Sequence, residues 1–385
     1  MAAVISPLIP YFPSDGQKEA FWVAISKSLP TTGRVPLGFP RELHSALAWK
    51  ANDIASKLSA YETRLDGGDI DAIDSALAAF KATSLSFSEI STKTFPLPEP
   101  LAQKLKAICD ECYQGVGFNV LRGLDPSKHT NHDNIAIYAG IAAHVAPQRG
   151  FVDRKRHLLH VASAKTPAFT TEKVAFHSDN SEIMGLYVLE SADEGGHLAL
   201  SSSYDLYNEL AHTRPEILET LATPWVLDTF KDYAKYPPLR IPFLHPSGCD
   251  KIVFRFSRYP MTGFQNLERN PTLPLPTKAQ IEAMDAVHFM ALANSIQLPI
   301  GRGDIVFIND QAILHARGTF QDVSGSGRHL LKMFLRDPDQ SWPVSGPALE
   351  QQLKIYGPNR DDGTREETWW VDFETGQEEE APTNG

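Results

Sequence analysis

The sequence predicts an α+β fold, a jelly-roll core with flanking helices. Three observations carry this. Apolar residues at helical spacing mark the first part of the chain and return at 134–145 and 278–293. From residue 117 onward, short apolar strands recur between long irregular excursions, the pattern of a decorated jelly-roll barrel. No internal repeat is present, so solenoids and propellers are not indicated.

The elements follow in order. Residues 69–80 predict a helix, with Ile70, Ile73, Ala76, Leu77 and Phe80 on one face. The proline-rich stretch 94–100 predicts a stiff, extended connector, because proline restricts itself and the residue before it. A second helix is expected over 101–113, with Leu101, Leu105, Ile108, Cys109 and Cys112 as its buried stripe. The period then shortens. Strands are expected at 117–123, 158–162, 174–179, 182–190 and 198–200, the last after a Glu194-Gly195-Gly196 turn. Helical turns are expected from Tyr204 and from Arg214. Residues 223–277 read as irregular and proline-rich, with 251–258 their clearest strand. Gly303-Asp304 opens a strand at 305–308, Asn309-Asp310 turns it, and 328–336 is the last strong strand.

This divides the chain into a mainly helical lead-in packed on the core (1–94), a jelly-roll domain with a long insertion near 223–277 (95–340), and a C-terminal extension (341–385). The extension ends in an acidic tail around Glu378-Glu379-Glu380 that reads as disordered. The chain has 385 residues, 42% of them hydrophobic and 22% charged, ordinary for a globular protein. A formal charge of -11 argues against nucleic-acid binding, which needs cationic surface. Three cysteines make a disulfide framework unexpected and fit a reducing compartment. The N-terminus does not read as a signal peptide, the end is not Ser-Lys-Leu, and no stretch is long and apolar enough for a membrane span. The expected setting is cytoplasmic.

His177-Ser178-Asp179 is the most informative motif. On a strand, residues two apart share a side, so His177 and Asp179 project together. His315, past a strand and a turn, is the candidate third ligand. Two imidazoles and a carboxylate on one face, with open positions opposite, suit the Fe(II) of non-haem oxygenases. His160, His197, His212, His245 and His288 read as surface or satisfied-core histidines. In the last strand, His329, Leu331, Met333 and Leu335 form a core face, and Arg328, Leu330, Lys332, Phe334 and Arg336 the other. Arg328 has the planar fork that grips a carboxylate, as in 2-oxoglutarate. Lys173 and Ala175 share the predicted face of His177. Lys173, Lys332 and Arg317 are therefore candidates for meeting an anionic substrate. The Cys109–Cys112 pair lacks the partners of a zinc site and is read as buried helix packing.

Residues 95–337 resemble the TauD/TfdA, clavaminate-synthase-like family of Fe(II)/2-oxoglutarate-dependent dioxygenases, and most of all its fungal members. The resemblance is carried by 117–124, Phe176-His177-Ser178-Asp179, Gly195-Gly196, 207–210, 304–309, Leu314-His315-Ala316-Arg317 and Arg328-His329-Leu330. It implies a double-stranded β-helix flanked by helices, iron on His177, Asp179 and His315, and 2-oxoglutarate on Arg328. It further implies a role in secondary metabolism, with oxidation of an unactivated C–H bond by O2. Conversion of 2-oxoglutarate to succinate and CO2 accompanies that oxidation. Hydroxylation, desaturation and ring closure are all compatible outcomes. The expected substrate is a small polar, anionic molecule, an amino acid or a sulfonate. Two departures stand out: Leu198 where relatives often place a threonine, and Lys332 where many carry a second arginine. Retention of Asp179 disfavours halogenation. From the residues alone, a zinc-dependent hydrolase and a catalytically dead binding protein on the same fold stay open.

Overall fold

The computed structural model describes residues 9–27, 34–57, 60–152, 156–161, 171–265, 267–321 and 327–371. The acidic tail lies outside these residues. Two β-sheets face each other. The main sheet has seven strands, with Glu62–Arg64, Phe118–Arg122, Ile305–Asn309, Ile183–Glu190, His329–Arg336 and Gln148–Gly150 in that spatial order and Leu159–Val161 also pairing with His329–Arg336. The smaller sheet has four strands, in the order Ser295–Leu298, Leu198–Ser202, Ile313–Arg317 and Val174–His177. Every pairing is antiparallel except that of Glu62–Arg64 with Phe118–Arg122. This is a double-stranded β-helix with added helices.

Alternation along the strands sorts the side chains. Val120, Leu186, Val306, Leu330 and Phe334 of the main sheet meet Leu198, Leu200, Ile296 and Ile313 of the smaller one in a core between the sheets. The opposite residues, Leu121, Tyr187, Phe307, Leu331 and Met333, belong to a second core shared with the helices. Helices Gly67–Lys81, Glu99–Gln114 and Asn131–Val145 pack together over the main sheet, while Ser203–Thr213 and Lys278–Ala293 back the smaller one. The helix starts are locally encoded. Asp66 with Asp69 and Thr277 with Gln280 form capping boxes, and the Thr130 side chain caps Asn131–Val145.

The expected helices and main strands are present, with instructive differences. The 94–100 connector ends early, because Glu99 already begins the helix and Pro100 sits in its first turn, where its missing N–H costs nothing. The lead-in is not purely helical, since Glu62–Arg64 extends the main sheet. The irregular 223–277 stretch holds two small hairpins, Trp225–Leu227 with Leu239–Ile241 and Leu244–Ser247 with Lys251–Phe254. Strands of three or four residues are too short for alternation to reveal. The strand expected over 251–258 stops at Phe254, where the backbone turns to other partners: Phe254 N–H donates to Gln311 and Arg255 N–H to Phe243. Cys109 and Cys112 are buried in the helix stripe, and burial pushes the Cys109 thiol up to about 12.

Candidate metal centre and co-substrate cavity

His177 and His315 come from neighbouring strands of the smaller sheet and are direct register partners. Their rings lie 4.1 Å apart between centroids. Asp179 follows two residues after His177, but not on the strand as expected. The strand ends at His177, and Asp179 lies in the turn that follows, with Asn180 at φ 69°. Ser178 makes that break: its N–H donates to Phe256 O at 2.8 Å, and its hydroxyl accepts from Phe256 N–H at 3.0 Å. The turn still brings Asp179 Oδ1 to 3.8 Å from His177 Nε2, and Oδ2 to 3.7 Å from His315 Nε2. Among the described residues, these three form the one group of histidine, cysteine or carboxylate ligands placed to hold a metal ion.

The electrostatics fit such an ion. His177 Nδ1 lies 2.9 Å from Ala175 O, and a carbonyl only accepts, so Nδ1 carries the proton and Nε2 presents its lone pair. Burial holds both imidazoles below their ordinary pKa, His315 well below, and so keeps them neutral. Burial raises the Asp179 carboxyl, but the Lys332 ammonium beside it opposes this and the carboxyl is held below the usual range. Asp179 Oδ1 is buried and has no hydrogen-bond partner among the described residues. An orphaned carboxylate oxygen is expensive, and a divalent cation held by His177, Asp179 and His315 would remove the cost.

Two neighbours of the group escaped the sequence reading. Asp310 accepts from Asp179 N–H at 2.9 Å and from Ser181 N–H at 2.8 Å, so it fixes the turn that carries Asp179. Its Oδ1 lies 3.6 Å from His315 Nδ1, beyond hydrogen-bond length. Phe320 is the second. Arg317 lies 4.9 Å and Arg328 5.5 Å from its ring centroid, so one aromatic ring contacts both guanidinium groups. Asp310 was legible only as a turn residue, and Phe320 gave no signal.

The other predicted residues fall out unequally. Arg328, Arg317 and Lys332 line one cavity of about 60 Å³ with His177 and His315. Leu198, at the position expected for threonine, lines it too. Burial lowers the Arg317 guanidinium to about 10, and Arg317 Nη2 donates to Glu172 O. Lys332 is committed elsewhere: its ammonium contacts Asp179 Oδ2 directly. Lys173 does not reach the cavity. Its ammonium sits 4.3 Å over the Phe12 ring, and Val174 faces the cavity in its place. The cause is a bulge. Val174 pairs with Arg317 and His177 with His315, so three steps on one strand match two on the other and the facing parity flips. His329 leaves its expected core face for a similar reason: a register shift separates it from Leu330, and its Nε2 lies 2.9 Å from His160 Nδ1.

Residues 80–334 match the model of the "Taurine catabolism dioxygenase TauD, TfdA family". The chain belongs to this family. The matched stretch contains all three members of the candidate triad and Arg328. The "Taurine hydroxylase-like protein SAT17" of Stachybotrys chartarum is 31% identical over 333 residues, covering 81% of this chain and 84% of that protein. Two solved structures share the fold. Asparagine oxygenase, in complex with Fe(II), 2S,3S-3-hydroxyasparagine and succinate, gives a TM-score of 0.56 at 14% identity and covers 74% of this chain and 99% of the other. The non-heme iron oxygenase OrfP, in complex with Fe and alpha-ketoglutaric acid, gives 0.53 at 15% identity, covering 74% of this chain and all (100%) of the other. This TauD/TfdA protein is therefore an Fe(II)- and 2-oxoglutarate-dependent dioxygenase. The zinc-hydrolase and binding-protein alternatives fall away. Among the described residues, no helix is long and apolar enough to cross a membrane.

Proposed function

We propose that His177, Asp179 and His315 hold the iron and that Arg328 grips the far carboxylate of 2-oxoglutarate. The oxidised substrate in this reading is a small anionic molecule, an amino acid or a sulfonate. The observation that carries the ligand assignment is the buried triad with its orphaned Asp179 oxygen. Iron with 2-oxoglutarate supplies the O2-dependent oxidation of an unactivated C–H bond, yielding succinate and CO2. The chain's own residues supply the rest. Neutral imidazoles present Nε2, Asp310 fixes the Asp179 turn, and Leu186, Leu198 and Leu330 keep the small cavity dry. Arg317 shares the anion cavity with Arg328, whereas Lys332 acts through Asp179 rather than on substrate. An amino-acid or sulfonate substrate is supported by the hydroxy-amino acid bound to asparagine oxygenase and by the taurine hydroxylase-like relative. Cytosol remains the proposed setting.

Adding Fe(II) and 2-oxoglutarate under nitrogen is expected to give a visible charge-transfer band, and admitting O2 a slow release of succinate. His177→Ala and His315→Ala remove both signals. Arg328→Gln is expected to raise the KM for 2-oxoglutarate roughly 10- to 100-fold, the worth of a charged hydrogen bond, with a smaller effect on kcat. A band that survives in either histidine variant rules out the triad, and an unchanged KM rules out Arg328 as the anchor.

A further inference from the structure

A second and larger cavity, of about 440 Å³, has Asp179 in its wall. It shares no lining residue with the Arg328 cavity. We propose that it seats the primary substrate, and that Lys235 and Lys354 at its rim select an amphipathic anion, acidic head outward and hydrocarbon body inward. This rests on the reading that His177, Asp179 and His315 hold the iron.

Its size is that of a small-molecule site. Asp179 and Asn180 form part of its wall, so a molecule inside lies beside the proposed metal ligand. Phe151, Val152 and Phe334 are buried and apolar and form the deep part, whereas Lys235 and Lys354 are exposed. Neither lysine side chain is ion-paired among the described residues, and apart from Asp179 no carboxylate lines the cavity. Acidic residues outnumber basic ones by 47 to 36 in the whole chain, so a wall with two ammonium groups and no rim acid runs against the overall composition.

The polarity of the site orients its occupant. The C–H bond to be oxidised must lie near the metal, hence deep. A charged head placed there would meet the apolar side chains of Phe151, Val152 and Phe334. At the rim it meets two ammonium groups and water. The walls come from the 229–239 segment and from helix Pro347–Tyr356, and the helix lies beyond the family-matched stretch. Substrate choice is thus set by parts of the chain outside the iron machinery.

The test is equilibrium binding to the Fe(II)/2-oxoglutarate-loaded enzyme under nitrogen, read by calorimetry and by perturbation of the visible band. The probes are short aliphatic carboxylates and sulfonates, their neutral amides and the matching amines. Anions should bind roughly tenfold or more tightly than their amides. Lys235→Gln and Lys354→Gln should each weaken anion binding about 3- to 5-fold, less so at high salt, as fits exposed charges. Amide binding and 2-oxoglutarate affinity should stay as they were. The double variant K235E/K354E should turn the preference toward amines, which a merely structural role for the lysines would not do. Equal binding of anions and amides, failure of every anion to bind, or a preference that survives in the lysine variants overturns this proposal while leaving the iron site standing. A wild-type enzyme with no band overturns the ligand assignment and this proposal with it.

Discussion

Asp179 has a lysine on one oxygen and, among the described residues, no hydrogen-bond partner on the other. Lys332 therefore neutralises the carboxylate while the metal is absent. Removing one partner of a buried ion pair typically costs about 3–5 kcal/mol, because the remaining charge is left unpaired. Lys332→Met is thus expected to lower the melting temperature of the metal-free protein strongly. Iron should restore most of the loss, since the cation then meets the charge that Lys332 had met. An equal drop with and without metal would reduce Lys332 to a packing residue. A second residue-level expectation concerns His288, which is packed against Phe12, Phe176 and Phe289. Its Nδ1 has no hydrogen-bond partner among the described residues. Burial lowers its pKa to about 3. The folded value lies below the unfolded one, so the unfolded chain alone takes up this proton as pH falls below the ordinary value of about 6.5, and stability drops. His288→Phe removes this proton. Its stability should fall about 1.4 kcal/mol less than that of the wild type between pH 7.5 and 5.5. Denaturant titrations at the two pH values check this, and parallel losses in both proteins would refute it. The candidate triad was legible because residue types and order carry it. The partner of Lys332 was not, because a strand pattern gives the face of a side chain and not what stands opposite.

At the scale of elements, parity decided more than propensity. Helix Lys278–Ala293 was readable to the residue, since its capping box and apolar stripe are local. The strand before His177 was not. Its bulge shifts the facing set by one, so Val174 faces the cavity proposed to hold 2-oxoglutarate and Lys173 faces Phe12. Val174→Phe should therefore raise the KM for 2-oxoglutarate roughly tenfold by overpacking that cavity, while Lys173→Ala changes it less than about twofold. The reverse order in steady-state kinetics would mean that the bulge is misplaced. Bulges leave no mark in an apolar pattern, because the extra residue is as apolar as its neighbours.

Across the whole molecule, distant segments meet around one buried arginine. Arg258, only 1% exposed, pairs with Asp285 of the 278–293 helix at 2.9 Å and donates from Nε to Tyr11 O, also at 2.9 Å. Gln17 donates to the other Asp285 oxygen at 2.9 Å. The N-terminal segment is thereby tied to the insertion and to the helix behind the smaller sheet. Asp285→Ala strands the Arg258 charge and should cost about 3–5 kcal/mol by denaturant unfolding. A loss below about 1 kcal/mol would show the tie to be incidental.

The amino-acid order alone determined the fold class, the helix stripes, the alternation of the last strand and the choice of the three candidate ligand side chains. Each of these is a local signal, a period or a residue type. The three-dimensional packing decided that Lys332 meets Asp179, that Val174 displaces Lys173, that Asp310 holds the ligand turn, and that the 229–239 segment and a C-terminal helix wall the large cavity. The reason is physical. Periodicity reports which side of an element is apolar, whereas the partner across a gap depends on register and on chain returning from more than a hundred residues away, as between Asp179 and Lys332.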